Sequence, residues 1–283
     1  MFKKEYFIEK GLFALLLMSI LIVVVMVLFI VTEAIPVFAA YGISDFLFGT
    51  VWSPDSNEFG IFPMVVSTLM VTAIALIIAV PLSISCAIFL EEIASSRIRL
   101  VFRPIIQTLS GIPSVVYGFF GLTFLVPLTR QYFGGSGFSI LTASAILAVM
   151  ILPTVISVTQ DSIRAVPQSV RQSSLALGAT RFQTIRNVVI PSAFSGIFIA
   201  VVLGLSRAVG ETLAVLMLVG NVAIMPDSAL DPARTLSSNI ALEMSYAGGI
   251  HYNALFATAL VLLGIVIVLM IISNAIKHVG GIE

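Results

Sequence analysis

Residues 161–191 read DSIRAVPQSVRQSSLALGATRFQTIRNVVIP. This is the most polar long stretch in an apolar chain, and its location decides the fold. The segments on either side, 139–160 and 192–219, are apolar and long enough to cross a bilayer, which takes about 20 residues. A stretch carrying Arg164, Arg171, Arg181 and Arg186 between two such segments belongs in water at one membrane face. It also has helical punctuation. Pro167 suits a first helical turn. Leu175, Phe182 and Ile185 share one helix face by their spacing. Gly178 marks a bend or a close approach, and Pro191 opens the following span. A short amphipathic element outside the membrane must bury its apolar face against lipid, the rest of the chain, or another protein.

Working outward, the chain has 283 residues, of which 59% are hydrophobic and 10% charged, with a mean hydropathy of +1.14. A soluble domain carries about 25% charged residues. Most of the outer surface must therefore face lipid. Six segments qualify as spans: 12–32, 64–90, 105–127, 139–160, 192–219 and 252–276. The apolar core of the first exceeds the roughly 7–15 residues of a cleaved signal, so it reads as a retained helix. Cationic loops mark the cytoplasmic side. Lys3, Lys4, Lys10, Arg97, Arg99, Arg103, Lys277 and the four arginines of 161–191 lie on one side. Arg130 and Arg234 lie on the other, with Arg207 inside a span. The expectation is an all-α polytopic membrane protein with six transmembrane helices and both termini cytoplasmic.

The chain divides into an N-terminal helix with an outer segment (1–63) and a five-helix core (64–283) that carries the loop 161–191. The first helix is expected at the periphery. The outer segments 33–63 and 222–251 are either solvated loops or a docking surface for an external partner, and each is long enough for a short interfacial helix. Trp52 is expected as an interface anchor.

Several function classes are excluded. A net charge of zero does not suit nucleic-acid binding, which needs a basic face. One cysteine, Cys86, and two histidines, His251 and His278, offer no disulfide and no metal site. Cys86 reads as packing. No lysine lies between residues 11 and 276, so the Gly-Lys-Ser/Thr of a phosphate-binding loop is missing. Any ATP-driven function needs a partner. No nucleophile–base pair is visible in a span, so no residue is assigned as catalytic.

The loop resembles the "EAA loop" of ABC-importer permeases, in which Glu-Ala-Ala is followed by three residues, Gly, nine residues and Ile-x-Leu-Pro. Gln172, Ser173 and Ser174 take the Glu-Ala-Ala positions, Gly178 the glycine, and Val188, Val189, Ile190 and Pro191 the closing motif. The spacing is intact, while the Glu is replaced. The resemblance implies a type I ABC-importer permease fold. It also implies that Gln172, Ser173, Ser174, Leu175, Gly178, Ala179, Phe182 and Pro191 form the coupling element on a separate ATP-binding subunit. This chain itself would bind no cofactor.

The fifth span contains GLSRAVGETLAVLMLVGN, residues 204–221. Read as one helix, it puts Arg207 and Glu211 on one face and Arg207 roughly 21 Å beyond Ala193. Ionisable groups in a membrane are costly and face a cavity or a partner. The two form a packing pair, or Arg207 attracts an anion, or Glu211 holds Arg207 until transport releases it. Arg suits phosphate and other oxyanions by its paired donors. Gly111, Pro113 and Gly118 serve either a helix start with close packing or a pivot. Asn221 and Asn239 line the outer mouth or cap helices.

RAVGETLAVLMLVGN, GIPSVVYGFFGL (111–122), SSNIALEM (237–244) and FGIFP (59–63) together resemble the PstC-type permeases of phosphate-specific ABC importers. That likeness implies a substrate pathway at Arg207, Glu211, Thr212 and Asn221, in the inner membrane of a prokaryote. The implied partners are a PstA-like second permease as heterodimer, two PstB-like ATP-binding subunits that hold the ATP, a PstS-like external phosphate-binding protein, and membrane lipid. A permease for another oxyanion, or a self-contained channel or secondary transporter, would explain the buried charges equally well. Neither of the self-contained classes would explain the spacing at 172–191.

Overall fold

The computed structural model describes the backbone of residues 2–279 and the side chains of 9–273 and 275. The side chains of Lys3, Lys4, Lys277 and His278 lie outside the described residues. In chain order the elements are α1 (Phe2–Tyr41), α2 (Ile43–Phe48), a hairpin of β1 (Trp52–Ser53) and β2 (Glu58–Phe59), α3 (Phe62–Ile88), α4 (Ser96–Ser110), α5 (Ser114–Phe120), α6 (Val126–Phe133) and α7 (Ile140–Ala165). There follow α8 (Gln168–Ala176), α9 (Arg181–Thr184), α10 (Ile190–Gly210), α11 (Leu213–Leu218), α12 (Leu236–Glu243) and α13 (Ile250–Val279). Five helical rods are long and apolar enough to cross a membrane, and a sixth arises if α4 with α5–α6 counts as one bent span.

The expected spans 12–32, 64–90 and 252–276 fall on α1, on α3 with its π-helical end (Phe89–Ile93), and on α13. The span 139–160 falls on α7, where Ser139 caps the helix by accepting from Thr142 N–H. The other two expectations need correction. Residues 105–127 are not one helix. The chain breaks at Gly111–Pro113 and turns through 97° between Ser96–Ser110 and Ser114–Phe133. Proline disfavours the helical region in the residue before it, and Pro113 itself is extended, with φ −59° and ψ 142°. Residues 192–219 are broken too. Glu211 leaves the helix at φ −70°, ψ 129°, and α11 restarts at Leu213.

Pro191 stands in the first turn of α10, as expected, yet the rod begins earlier, at Arg181. Residues 185–189 make a π turn just ahead of it. Proline clashes with the carbonyl four residues back; the wider π turn accommodates it.

α7 is the central helix. It packs along α3 on one side and α10 on the other. Its Ile146, Leu147, Met150, Ile151 and Val155 are buried against Val71, Ala75 and Ala79 of α3 and Ala200 of α10. Lipid tails are as apolar as leucine, so small residues and tight contact hold membrane helices together. At Gly204 a Cβ would lie 2.8 Å from Val155 Cγ2 and 2.9 Å from Ile151 Cγ2. Gly204→Ala is therefore expected to cost about 1–3 kcal/mol, read as a lowered thermal midpoint in detergent. An unchanged midpoint would show that α7 and α10 separate freely. Gly118 packs in the same manner, its missing Cβ standing 2.6 Å from Met217 Sδ of α11, so this glycine serves close packing.

α1 lies against α13 at the edge of the bundle, and its central turns are exposed all round. This is the peripheral position expected of the first helix. Cys86 packs beside the cluster of Leu90, Ile156, Ile163 and Ile197.

The outer segments 33–63 and 222–251 are not free loops. With α13 they build a second core around Phe46, Trp52, Phe59, Met64 and Leu236. Trp52 is only 9% exposed, which overturns its expected role as an interface anchor. Its ring stacks edge-on to Phe59, and its Nε1–H donates to Glu243 at 2.9 Å. An indole that finds both apolar neighbours and an acceptor gains more by burial than by sitting among headgroups.

Candidate functional site

The loop 161–191 folds as a helical elbow at one end of the bundle. Pro167 precedes α8, which carries Gln172, Ser173, Ser174 and Leu175. Gly178 turns the chain at φ +85° with nothing within 4 Å of its Cβ position. Ala179 follows, and Thr180 with Gln183 forms a capping box that starts α9. Ser174 Oγ bonds Thr184 Oγ1 at 3.0 Å and closes α8 onto α9.

The apolar face expected here is divided. Ile185 is buried, whereas Leu175 and Phe182 are exposed, Phe182 by 69%, and Leu177 beside them by 89%. The three leave apolar surface uncovered along α8, its end and α9. Exposed apolar surface of this kind marks interaction sites, so it suits a partner surface.

Sequence reading missed what holds the elbow. Arg171 Nη2 donates to Glu92 at 2.9 Å and to the Ile163 carbonyl at 2.7 Å. Arg164 forms a two-pronged pair with Glu91, and Arg181 donates to the Glu92 carbonyl. Glu91 and Glu92 thus anchor the elbow to the end of α3. The signal was available: two adjacent acids on a face otherwise populated by arginines. Glu91, Arg171 and Glu92 are largely shielded from water, and shielding strengthens such pairs relative to exposed ones.

The second candidate lies at the break between α10 and α11. Arg207 and Glu211 do not share a helix face, because the helix ends at Gly210. Among the described residues Arg207 forms no salt bridge. Its Nη1 donates to Thr154 Oγ1 of α7 at 3.3 Å. Glu211 has partners of its own: its Oε1 accepts from Ala214 N–H, and its backbone carbonyl accepts from the Ser237 hydroxyl of α12. Thr212 immediately precedes α11, with its hydroxyl donating to the Gly210 carbonyl. Gly210, at the break, is exposed, and Arg207 and Glu211 are half-buried. Irregular backbone at membrane depth is tolerated only where protein covers it or a polar cavity wets it. Arg207 therefore has free donor capacity beside such a break.

Asn221 takes the capping role. It adopts φ +59° just after α11, and its Nδ2 donates to the Leu216 carbonyl at 2.7 Å. Asn239 neither caps nor lines a mouth; it is buried in α12 and accepts from Arg234 at 3.0 Å. Both belong to a network that sequence reading did not assemble. Glu243 Oε1 accepts from Arg234 at 2.6 Å, and Oε2 accepts from Trp52 and meets His251 Nε2 at 2.8 Å. Arg234 Nε reaches the Asn221 carbonyl at 3.0 Å. One carboxylate thus ties the β1–β2 hairpin, the segment after α11, α12 and α13 together.

Comparison with known proteins agrees with this architecture. Residues 79–278 match the family described as "Binding-protein-dependent transport system inner membrane component". Over 247 residues the chain is 43% identical to the "Probable ABC transporter permease protein YqgH" of Bacillus subtilis, covering 85% of this chain and 80% of that one. It is 34% identical to the "Phosphate transport system permease protein PstC" of Haemophilus influenzae, covering 81% and 79%. The fold is shared with a solved bacterial alginate ABC transporter, at TM-score 0.69 and 18% identity, over 94% of this chain and 93% of that one. It is also shared with the MetNI methionine ABC transporter, at TM-score 0.58 and 20% identity, over 78% and 94%. The chain belongs to the binding-protein-dependent transport system inner membrane component family, and is a membrane-embedded permease subunit of an ABC importer rather than an enzyme.

Proposed function

We propose that this subunit conducts inorganic phosphate inward across the cytoplasmic membrane. The observation that carries the reading is Arg207: a half-buried guanidinium in a transmembrane helix, beside a helix break, with a hydroxyl but, among the described residues, no carboxylate as partner. A planar fork of donors at that depth recognises an oxyanion. The likeness to PstC proteins favours phosphate among oxyanions. In this reading Glu211 and Thr212 hold the break open by starting α11, and Asn221 shapes its outer end.

The elbow 161–191 and both termini face the cytoplasm. A separate ATP-binding subunit covers Leu175, Leu177 and Phe182, and its closure on ATP rocks α7 and α10, which the elbow joins. This chain binds no ATP itself. It pairs with a second, PstA-like permease and receives phosphate from a PstS-like binding protein at the opposite face. Residues 64–283 form the conducting core, and 1–63 an accessory helix and outer cover.

Arg207→Gln tests the reading. In the assembled transporter, phosphate uptake is expected to fall about 10–100-fold, the loss of charge-assisted bonds worth about 1.5–3 kcal/mol. Full uptake with assembly intact would remove Arg207 from the pathway.

A further inference from the structure

A cavity of about 230 Å³ opens where the end of α3, α4 and the end of α7 meet, lined by Glu91, Arg99, Arg103, Gln107, Gln160 and Arg164. Of the three guanidiniums there, Arg164 is paired with Glu91 and with Asp161, whereas Arg99 and Arg103 have no carboxylate partner among the described residues. The cavity therefore carries excess positive charge. Gln160 is only 5% exposed, and among the described residues its amide has no hydrogen-bond partner. Arg99 is oriented by donating Nε and Nη2 to the Ala94 carbonyl, at 3.3 and 3.1 Å.

The helix that forms one wall has a particular attitude. α4 meets the following membrane segment at 97°; with Ser114–Phe133 running along the membrane normal, α4 lies close to the membrane plane. Ile98, Val101, Phe102 and Ile105 follow one another at helical spacing and are exposed. Arg99, Arg103 and Gln107 repeat every four residues on the opposite face, and α4 contains no acid. A helix with an apolar face and a cationic face rests at the boundary between acyl chains and headgroups. With Ile98 and Ile105 in the acyl region, the cavity stands at headgroup level. Leu100, 75% exposed, and Pro104 give its rim an apolar edge. A free anion has no use for such an edge, whereas a lipid tail does. Beyond the break, Val115, Phe119 and Phe120 continue the exposed apolar surface along α5.

We propose that this cavity binds the phosphate headgroup of an anionic phospholipid, with α4 lying in the interface. The proposal rests on the membrane location of the chain and not on phosphate as its cargo. The full-length chain, purified in detergent and stripped of lipid, is titrated with phosphatidylglycerol or phosphatidylcholine of equal tail length, and bound lipid is counted by native mass spectrometry. Phosphatidylglycerol is expected to bind at least about tenfold more tightly, since each arginine near an anionic lipid contributes about fivefold. Arg103 is exposed, so Arg103→Gln should keep the thermal midpoint and lose about fivefold of that preference. Arg97→Gln, on the same helix outside the cavity, should lose less. Equal binding of the two lipids, or equal losses in the two variants, would overturn the proposal. Displacement of the lipid by millimolar inorganic phosphate would overturn it too, assigning the cavity to a free anion.

Discussion

Glu243→Ala is expected to destabilise the protein by about 3–5 kcal/mol, because it leaves a largely shielded arginine without its counter-charge. The carboxylate serves Arg234, Trp52 and His251 at once. Removing it orphans the Trp52 N–H and exposes the Arg234 guanidinium to a site whose remaining acceptors, the Asn239 amide and the Asn221 carbonyl, are neutral. The loss should appear as a lowered thermal midpoint in detergent. Proteolysis should then begin within 33–63 or 222–251, the segments this residue ties together. Glu243→Gln should lose less, since one amide oxygen still accepts from Arg234. If Glu243→Ala melted like the unmodified protein, the far end of the bundle would be held by apolar contacts alone.

The second large effect is expected at the elbow. Gly178 sits at φ +85°, a conformation that costs other L-residues about 1–2 kcal/mol. The space around it is open, so Gly178→Leu meets no clash. The turn would instead relax and swing α8 relative to α9, moving Leu175 and Leu177 relative to Phe182. Because the elbow lies outside the packed core, thermal stability should stay near that of the unmodified chain. ATP-dependent uptake by the assembled transporter should fall about tenfold or more, the equivalent of about 1.4 kcal/mol. Gly178→Asn should retain more, since asparagine tolerates this region. Unchanged uptake in the leucine variant would show that the turn transmits nothing.

Segments whose apolar runs matched the thickness of a bilayer were legible without coordinates. So was the elbow, because a polar stretch between two such runs has few places to go. The errors came where a local rule competed with a distant partner. Arg207 and Glu211 look paired at a spacing of four, yet spacing implies contact only while the helix continues. It stops at Gly210, since Glu211 finds better partners in Ala214 N–H and Ser237. Ile105–Pro127 looks continuous by hydropathy, which does not register a 97° turn at Gly111–Pro113. Trp52 follows the rule for membrane interfaces until Glu243, 191 residues away, supplies an acceptor.

Composition and periodicity alone determined that this chain lives in a bilayer, how many times it nears a crossing, and which polar stretch projects as an elbow. These depend on transfer free energies and helical repeat, which are properties of each segment by itself. Tertiary structure alone decided which charges meet. Glu91 and Glu92 became the footing of the elbow, Glu243 the clasp of the far end, and Arg207 a partner of the Thr154 hydroxyl, because pairing depends on positions that only the folded helices bring within about 3 Å of one another.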